Sequence, residues 1–268
     1  MINGMLRVAV PPGVGDVYWV LTKLRALRAL EGASSVRLYV QQTQYDRSRD
    51  WAKMVDFVNY ATPMRFRPPR DPSGVAKMIG VDYVLWPNTV VDRGDHLSTW
   101  MPHLPLDLNF PVRTHDTGPE RRVVVYASSD AINRAWLASA PEDFWPRVIR
   151  ELTEVVGRVT VIGAAWDAPF YQRVLKGNDC GAEFLLGQTS LPQVADVIRK
   201  ARIIVGVASG MTILANHFRT PCVAIFPDAH HPKFPFTWVA PEAPYSVLWN
   251  RELPDPKCVA NLAAGIAR

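Results

Sequence analysis

Short runs of β-branched and apolar residues alternate along this chain with longer stretches in which apolar positions recur at helical spacing. Leu6–Val10 reads as a strand. Val17, Val20, Leu21, Leu24, Leu27 and Leu30 then fall on one helical stripe, with Lys23, Arg25 and Arg28 off it and Gly32 as a stop. Residues 36–40 read as a strand, 51–58 as a helix and 82–87 as a strand. From Pro87 to Glu120 the periodicity fails, and residues 111–122, PVRTHDTGPERR, read as a linker. Alternation then restarts. Residues 122–127 are a strand and 141–157 a helix interrupted near its start by Pro146. Strands at 158–163 and 182–187 flank a helix at 167–176, and 189–201 is a helix capped by Thr189 or Ser190. The stretch 202–227, RIIVGVASGMTILANHFRTPCVAIFP, supplies a strand, a short helix and a second buried strand, and the last residues form a final helix. Strand–helix alternation of this kind predicts parallel sheets with helical crossovers. The chain is therefore expected to be α/β, with two Rossmann-like halves at 1–115 and 116–268.

Composition narrows the class. Of the 268 residues 48% are hydrophobic and 21% charged, which suits a globular protein with a substantial core. The 30 basic and 25 acidic side chains give a net charge of +5, and the first 115 residues carry 14 and 10 of them. The excess sits mainly in the first half. It suits an anionic ligand or acceptor and leaves peripheral membrane contact or a nucleic-acid partner open without demanding either. Cys180, Cys222 and Cys258 are odd in number and lack metal-ligand spacing, so they read as free thiols. No long apolar segment is present at the N-terminus, and the expected location is cytoplasmic. His217, His230 and His231 have no carboxylate or cysteine spacing that would make a metal site, so no metal and no cofactor are expected. The tryptophans at 86, 100, 136, 145, 166, 238 and 249 read as core or cleft wall.

Two glycine-containing turns stand where a strand hands over to a helix. The first is Gly13-Val14-Gly15-Asp16. Its third dinucleotide-fingerprint position is Tyr18, and no Gly-Lys-Ser/Thr follows, so it is neither a GxGxxG nor a Walker loop. From spacing alone Asp16 is a helix cap or a charged group near a ligand. The second is Ala208-Ser209-Gly210-Met211-Thr212, whose backbone N–H groups and two hydroxyls suit a diphosphate, or equally a Ser-capped helix. Ligands of open α/β sheets bind outside the carboxyl ends of the strands, where both turns lie.

The stretch 187–227 resembles the C-terminal signature of the glycosyltransferase family 9 enzymes, the ADP-heptose:lipopolysaccharide heptosyltransferases. Gly187, Thr189, Ser190 and Leu191 match its first motif. Ser209, Gly210, Leu214 and Ala215 match the second, and Thr220, Pro221 and Phe226 the third. GVGDVYWVLTKLRALR is similar to the family's N-terminal opening. The resemblance implies a GT-B fold, two Rossmann-like domains with the active site between them, the first taking the acceptor and the second a nucleotide-diphosphate sugar, without a metal. It makes Asp16 the base for the acceptor hydroxyl, with Gly13 and Gly15 in the acceptor-side loop. Arg134 would stand for the family's phosphate-binding lysine, with Asn133 a weaker polar candidate. Asp167 would face the ribose, and Ser209, Gly210, Met211 and Thr212 the diphosphate. Asp95, His96 and His103 are the alternative bases. Two departures stand out: the family's Asp before Ser-Gly is Ala208, and its His is Ile213. The expected function is transfer of a heptose or related sugar to an acceptor hydroxyl, on a glycan or lipopolysaccharide-type saccharide. Transfer to modified nucleic-acid bases, or nucleotide-sugar binding without catalysis, are the alternatives.

Overall fold

The structure, a computed structural model, describes residues 4–42, 45–65, 76, 79–87, 90, 93–120, 123–128, 142–178, 180–227, 239–240, 243, 245–250 and 253–267. The chain divides into two compact units, one built on Met1–Arg113 and the other from Thr114 onward.

In the first unit β1 (Met5–Val10), β2 (Ser35–Gln41), β3 (Tyr60–Met64) and β4 (Tyr83–Val84) form a parallel sheet in the order β3-β2-β1-β4. The predicted helix is α1 (Val14–Glu31), which ends on Gly32 in the left-handed conformation. The helix expected at 51–58 is not formed. Instead α2 (Tyr45–Ala52) ends inside that stretch and the chain turns, burying Trp51, Met54, Val55, Phe57 and Val58. Their apolar spacing reports a plugged turn, because burial alone does not distinguish a helix face from an irregular segment pressed into a core. Strand β3 was not legible: YATPM has no apolar run, and its Pro63 is tolerated because β3 is an edge strand.

Much of the aperiodic stretch after Pro87 is packed on this unit. Trp100, Leu104 and Phe110 are buried, and the Phe110 ring lies 5.4 Å from Tyr18 and 5.9 Å from Phe57. Lys23 on α1 is 1% exposed, and its Nζ donates to the carbonyls of Leu104 (2.6 Å) and Met101 (3.3 Å). Burial holds its pKa below the ordinary lysine value.

In the second unit β5 (Val123–Tyr126), β6 (Val159–Gly163), β7 (Glu183–Leu186), β8 (Ile203–Val207), β9 (Cys222–Pro227) and β10 (Tyr245–Asn250) form a six-stranded parallel sheet in the order β10-β9-β8-β5-β6-β7. The connecting helices are α3 (Phe144–Val156), α4 (Ala168–Leu175), α5 (Leu191–Arg199), α6 (Gly210–Phe218) and α7 (Pro256–Ile266). Pro146 lies in the first turn of α3, where a missing N–H removes no helical bond. α3 packs against α4 and α7, and α5 packs against α6, giving a helical layer on each face of the sheet. Central β6 and β8 are therefore buried on both faces. β10, an edge strand, is the other strand the periodicity did not reveal.

The stretch 114–118, read as linker, is fastened to α5. Asp196 is fully buried. Its carboxylate accepts from the Thr117 N–H (2.9 Å) and hydroxyl (3.0 Å) and pairs with Arg199 (2.5 Å) and Lys200 (2.8 Å). Lys200 also pairs with Asp116. Burial pushes the Asp196 carboxyl up, but hydrogen bonds from Lys200, Arg199 and Thr117 outweigh it and hold it well below the usual carboxylate range. Among the described residues no helix is long and apolar enough to cross a membrane.

Candidate active site

Each sheet has one place where strand order reverses. In the first it lies between β1, whose chain continues to β2 and β3, and β4 on the other side. In the second it lies between β5 and β8. The crevice outside the carboxyl ends of such strands is where open α/β sheets take ligands. Both glycine turns fall there: Gly13–Asp16 follows β1, and Ala208–Thr212 follows β8. The register places Tyr126 opposite Gly206, where a Cβ would come within 2.6 Å of the Tyr126 carbonyl oxygen. A glycine is what lets the two switch-point strands close up.

At the first turn the helix N-cap is Gly13, with extended φ and ψ and no side chain to offer. Asp16 is not the cap residue. It lies in the first turn of α1, and its carboxylate folds back over Gly13, so that a Cβ there would collide with Asp16 Oδ2 and stand 3.1 Å from its Cγ. A negative group at this position is favoured by the helix dipole. Gly15 stands directly before Asp16 in the same turn. Of the alternative bases, His96 caps a short turn at Leu97–Thr99 and bonds Ser98 (2.8 Å) through Nδ1, and Asp95 pairs with Arg93 (3.3 Å). His103 is exposed.

At the second turn Ser209 is the N-cap of α6. Its Oγ accepts from the Met211 N–H (3.2 Å), and its own N–H donates to Thr212 Oγ1 (3.1 Å). The Thr212 hydroxyl also donates to the Ser209 carbonyl (2.9 Å), and Thr212 is fully buried. Both hydroxyls expected to face phosphate are thus engaged in a reciprocal cap. Gly210 opens the helix. Ala208 packs against the core, and Ile213 is 5% exposed, so both departures from the family pattern are apolar residues turned largely away from solvent.

Asp167 lies in a short turn, Ala165–Asp167, and is 5% exposed. Its Oδ1 accepts from the Ser128 hydroxyl (2.7 Å) and its Oδ2 from the Ala164 N–H (2.8 Å). One helical turn on, the buried Tyr171 hydroxyl accepts from the Ala127 N–H (2.8 Å). Burial raises the Tyr171 pKa, so it remains a neutral phenol. Asp167 and Tyr171 together grip Ala127 and Ser128, the residues by which the chain leaves β5 at the switch point. Sequence reasoning missed Ser128 and Tyr171. The aligned spacing of Asp167 and Tyr171 was a signal, but their partners lie some forty residues away in the chain. Arg134, Asn133 and Trp136 lie outside the described residues. Among the described residues no cluster of three or more His, Cys, Asp or Glu side chains is placed to hold a metal ion.

The model of glycosyltransferase family 9 (heptosyltransferase) matches residues 94–262, more than half of the chain. No curated protein matches the sequence. Among solved structures, ADP-heptose lipopolysaccharide heptosyltransferase II of E. coli is 16% identical with a TM-score of 0.71, covering 99% of this chain and 98% of its own. The family 9 glycosyltransferase of Veillonella parvula is 12% identical with a TM-score of 0.63, covering 92% and 86%. The E. coli heptosyltransferase WaaC with ADP is 14% identical with a TM-score of 0.55, covering 99% and 95%. These likenesses establish the fold class as GT-B.

Proposed function

Because the chain belongs to glycosyltransferase family 9 and is a nucleotide-sugar glycosyltransferase, we propose that it moves a heptose or a related sugar from a nucleoside-diphosphate donor to a hydroxyl of a saccharide acceptor. The donor is held by the second unit, at the β5/β8 switch point, and the acceptor by the more basic first unit. An acceptor oxygen attacks the anomeric carbon, the bond from that carbon to the diphosphate breaks, and the acceptor proton passes to the Asp16 carboxylate. Charge gathering on the departing diphosphate is met by the N-terminus of α6 and by Arg134. The observation that supports this most is that both glycine turns fall at the strand-order reversal of their own sheets. The relatives named above, which act on or hold ADP-heptose and ADP, make a heptose donor the first to try.

The test is a panel of nucleoside-diphosphate sugars, scored for nucleoside diphosphate released with and without a lipopolysaccharide-type saccharide. One donor should be turned over, faster with acceptor, and EDTA should not reduce the rate. Strict dependence on Mg²⁺ or Mn²⁺ would contradict the metal-free reading. A second reading, a nucleotide-sugar-binding protein without turnover, is favoured by the buried, apolar Ile213 in place of the family's His. Saturable binding with no release from any donor selects it.

A further inference from the structure

We propose that Trp166 is the platform on which the nucleobase of the donor stacks, an inference that rests on the donor-binding role given above to the second unit. Trp166 was expected among core or cleft-wall tryptophans, yet it is 53% exposed, while Phe144, Trp145, Tyr171 and Phe226 of the same unit are buried. An exposed indole is not by itself informative. Three features of its setting are.

The backbone under it is held. The N–H of Gly187 donates to the Gly163 carbonyl (2.9 Å), Gly187 has a φ of 67°, and a Cβ there would stand 3.0 Å from Ala165 Cα. On the other side Asp167 ties the turn to Ser128 and to Ala164. An indole standing on a fixed turn loses little freedom when a flat ligand settles on it.

Its place on the sheet edge is the second feature. Trp166 follows β6, which lies two strands from β8 in the order β8-β5-β6. That is about 10 Å at ordinary strand spacing. A nucleoside diphosphate with its phosphates at the start of α6 and its base toward β6 covers that span. Third, both Asp167 oxygens already accept hydrogen bonds from within the protein and the residue is 5% exposed. What this turn exposes to a nucleoside is therefore the indole more than the carboxylate.

The experiment is calorimetric titration of the wild type, Trp166→Ala and Trp166→Phe with ADP, GDP, UDP and CDP, and with pyrophosphate, which has no base. For the tightest nucleotide, Trp166→Ala should weaken binding roughly fivefold to a hundredfold. Pyrophosphate affinity should not change, and Trp166→Phe should retain most of the nucleotide affinity. The melting temperature should hold, because the side chain is at the surface. Undiminished nucleotide affinity in Trp166→Ala overturns the proposal and leaves the donor site standing. Equal weakening of pyrophosphate overturns it by showing damage to the turn. A wild type that binds none of the four nucleotides overturns the donor-binding role and this inference together.

Discussion

The turn that opens α1 and the turn that opens α6 stand at matching places in their sheets, yet their first helical turns are completed in opposite ways. At α6 the cap is closed from within: the Thr212 hydroxyl bonds the N–H and the carbonyl of Ser209, and the Ser209 hydroxyl accepts from the Met211 N–H. At α1 the cap position is a bare glycine, and the polar side chain nearest to it is the Asp16 carboxylate lying over it. The first turn presents a proton acceptor on a fixed backbone. The second presents helix dipole, with its hydroxyls already committed to the cap. That difference matches the roles proposed for the two turns, proton transfer at α1 and charge stabilisation at α6.

The contrast extends to how each unit ties down irregular chain. The first uses a buried cation, Lys23, bonded to backbone carbonyls. The second uses a buried anion, Asp196, bonded to two cations and to Thr117. Carbonyl dipoles compensate a charge less completely than ions do, and the pKa directions agree. Burial pushes Lys23 toward neutrality, whereas at Asp196 the hydrogen bonds from Lys200, Arg199 and Thr117 outweigh burial and favour the charged form.

The sharpest way to break the first comparison is Asp16→Asn. It keeps size and one accepting oxygen but removes the proton acceptor. Turnover should fall on the order of a hundredfold or more, with nucleotide binding and melting temperature retained. Turnover near wild type would reduce Asp16 to a helix-terminus charge and make the two turns functionally alike.

Gly13→Ala is the next largest. The new Cβ must displace the Asp16 carboxylate. A displacement of about 1 Å at a reacting group costs up to roughly a hundredfold, so kcat should drop about tenfold or more while nucleotide affinity is unchanged. Steady-state kinetics beside a nucleotide titration separates the two.

Asp196→Asn probes the second comparison. It should cost about 1–3 kcal/mol of stability in denaturant unfolding. The sign of the pH effect follows from the lowered carboxyl pKa. Between the folded value and the unfolded value of about 4, the unfolded chain binds more protons, so stability rises with pH there. The wild type should lose this contribution progressively as pH falls below about 4, and the variant should show a shallower loss.

Ser209→Ala is expected to have the smallest effect. Removing the acceptor for the Met211 N–H should lower stability by about 1 kcal/mol. A loss well beyond that range would mean that the α6 cap carries more than local helix stability.

The α/β class and the alternation of elements were legible in the residues themselves, because buried parallel strands and amphipathic helices impose their own periods on a sequence, whereas the GT-B class came from the resemblance to family 9. So were a cap at Thr189 or Ser190, which falls on Ser190, the stop at Gly32 and the two glycine turns, since each depends on side chains or backbone conformations that few residue types allow. β3 was not, because an edge strand needs neither an apolar run nor the absence of proline, and β10 also went unread. The stretch 51–58 misled, since its apolar residues fill a turn. Nor could the chain order alone reveal that Asp167 reaches Ser128, that Tyr171 reaches Ala127, or that Trp166 stands exposed on a braced turn. Those facts depend on β5 and β6 lying side by side. Local propensity is written residue by residue, whereas hydrogen-bond partners and exposure are set by which distant segments the sheet brings together.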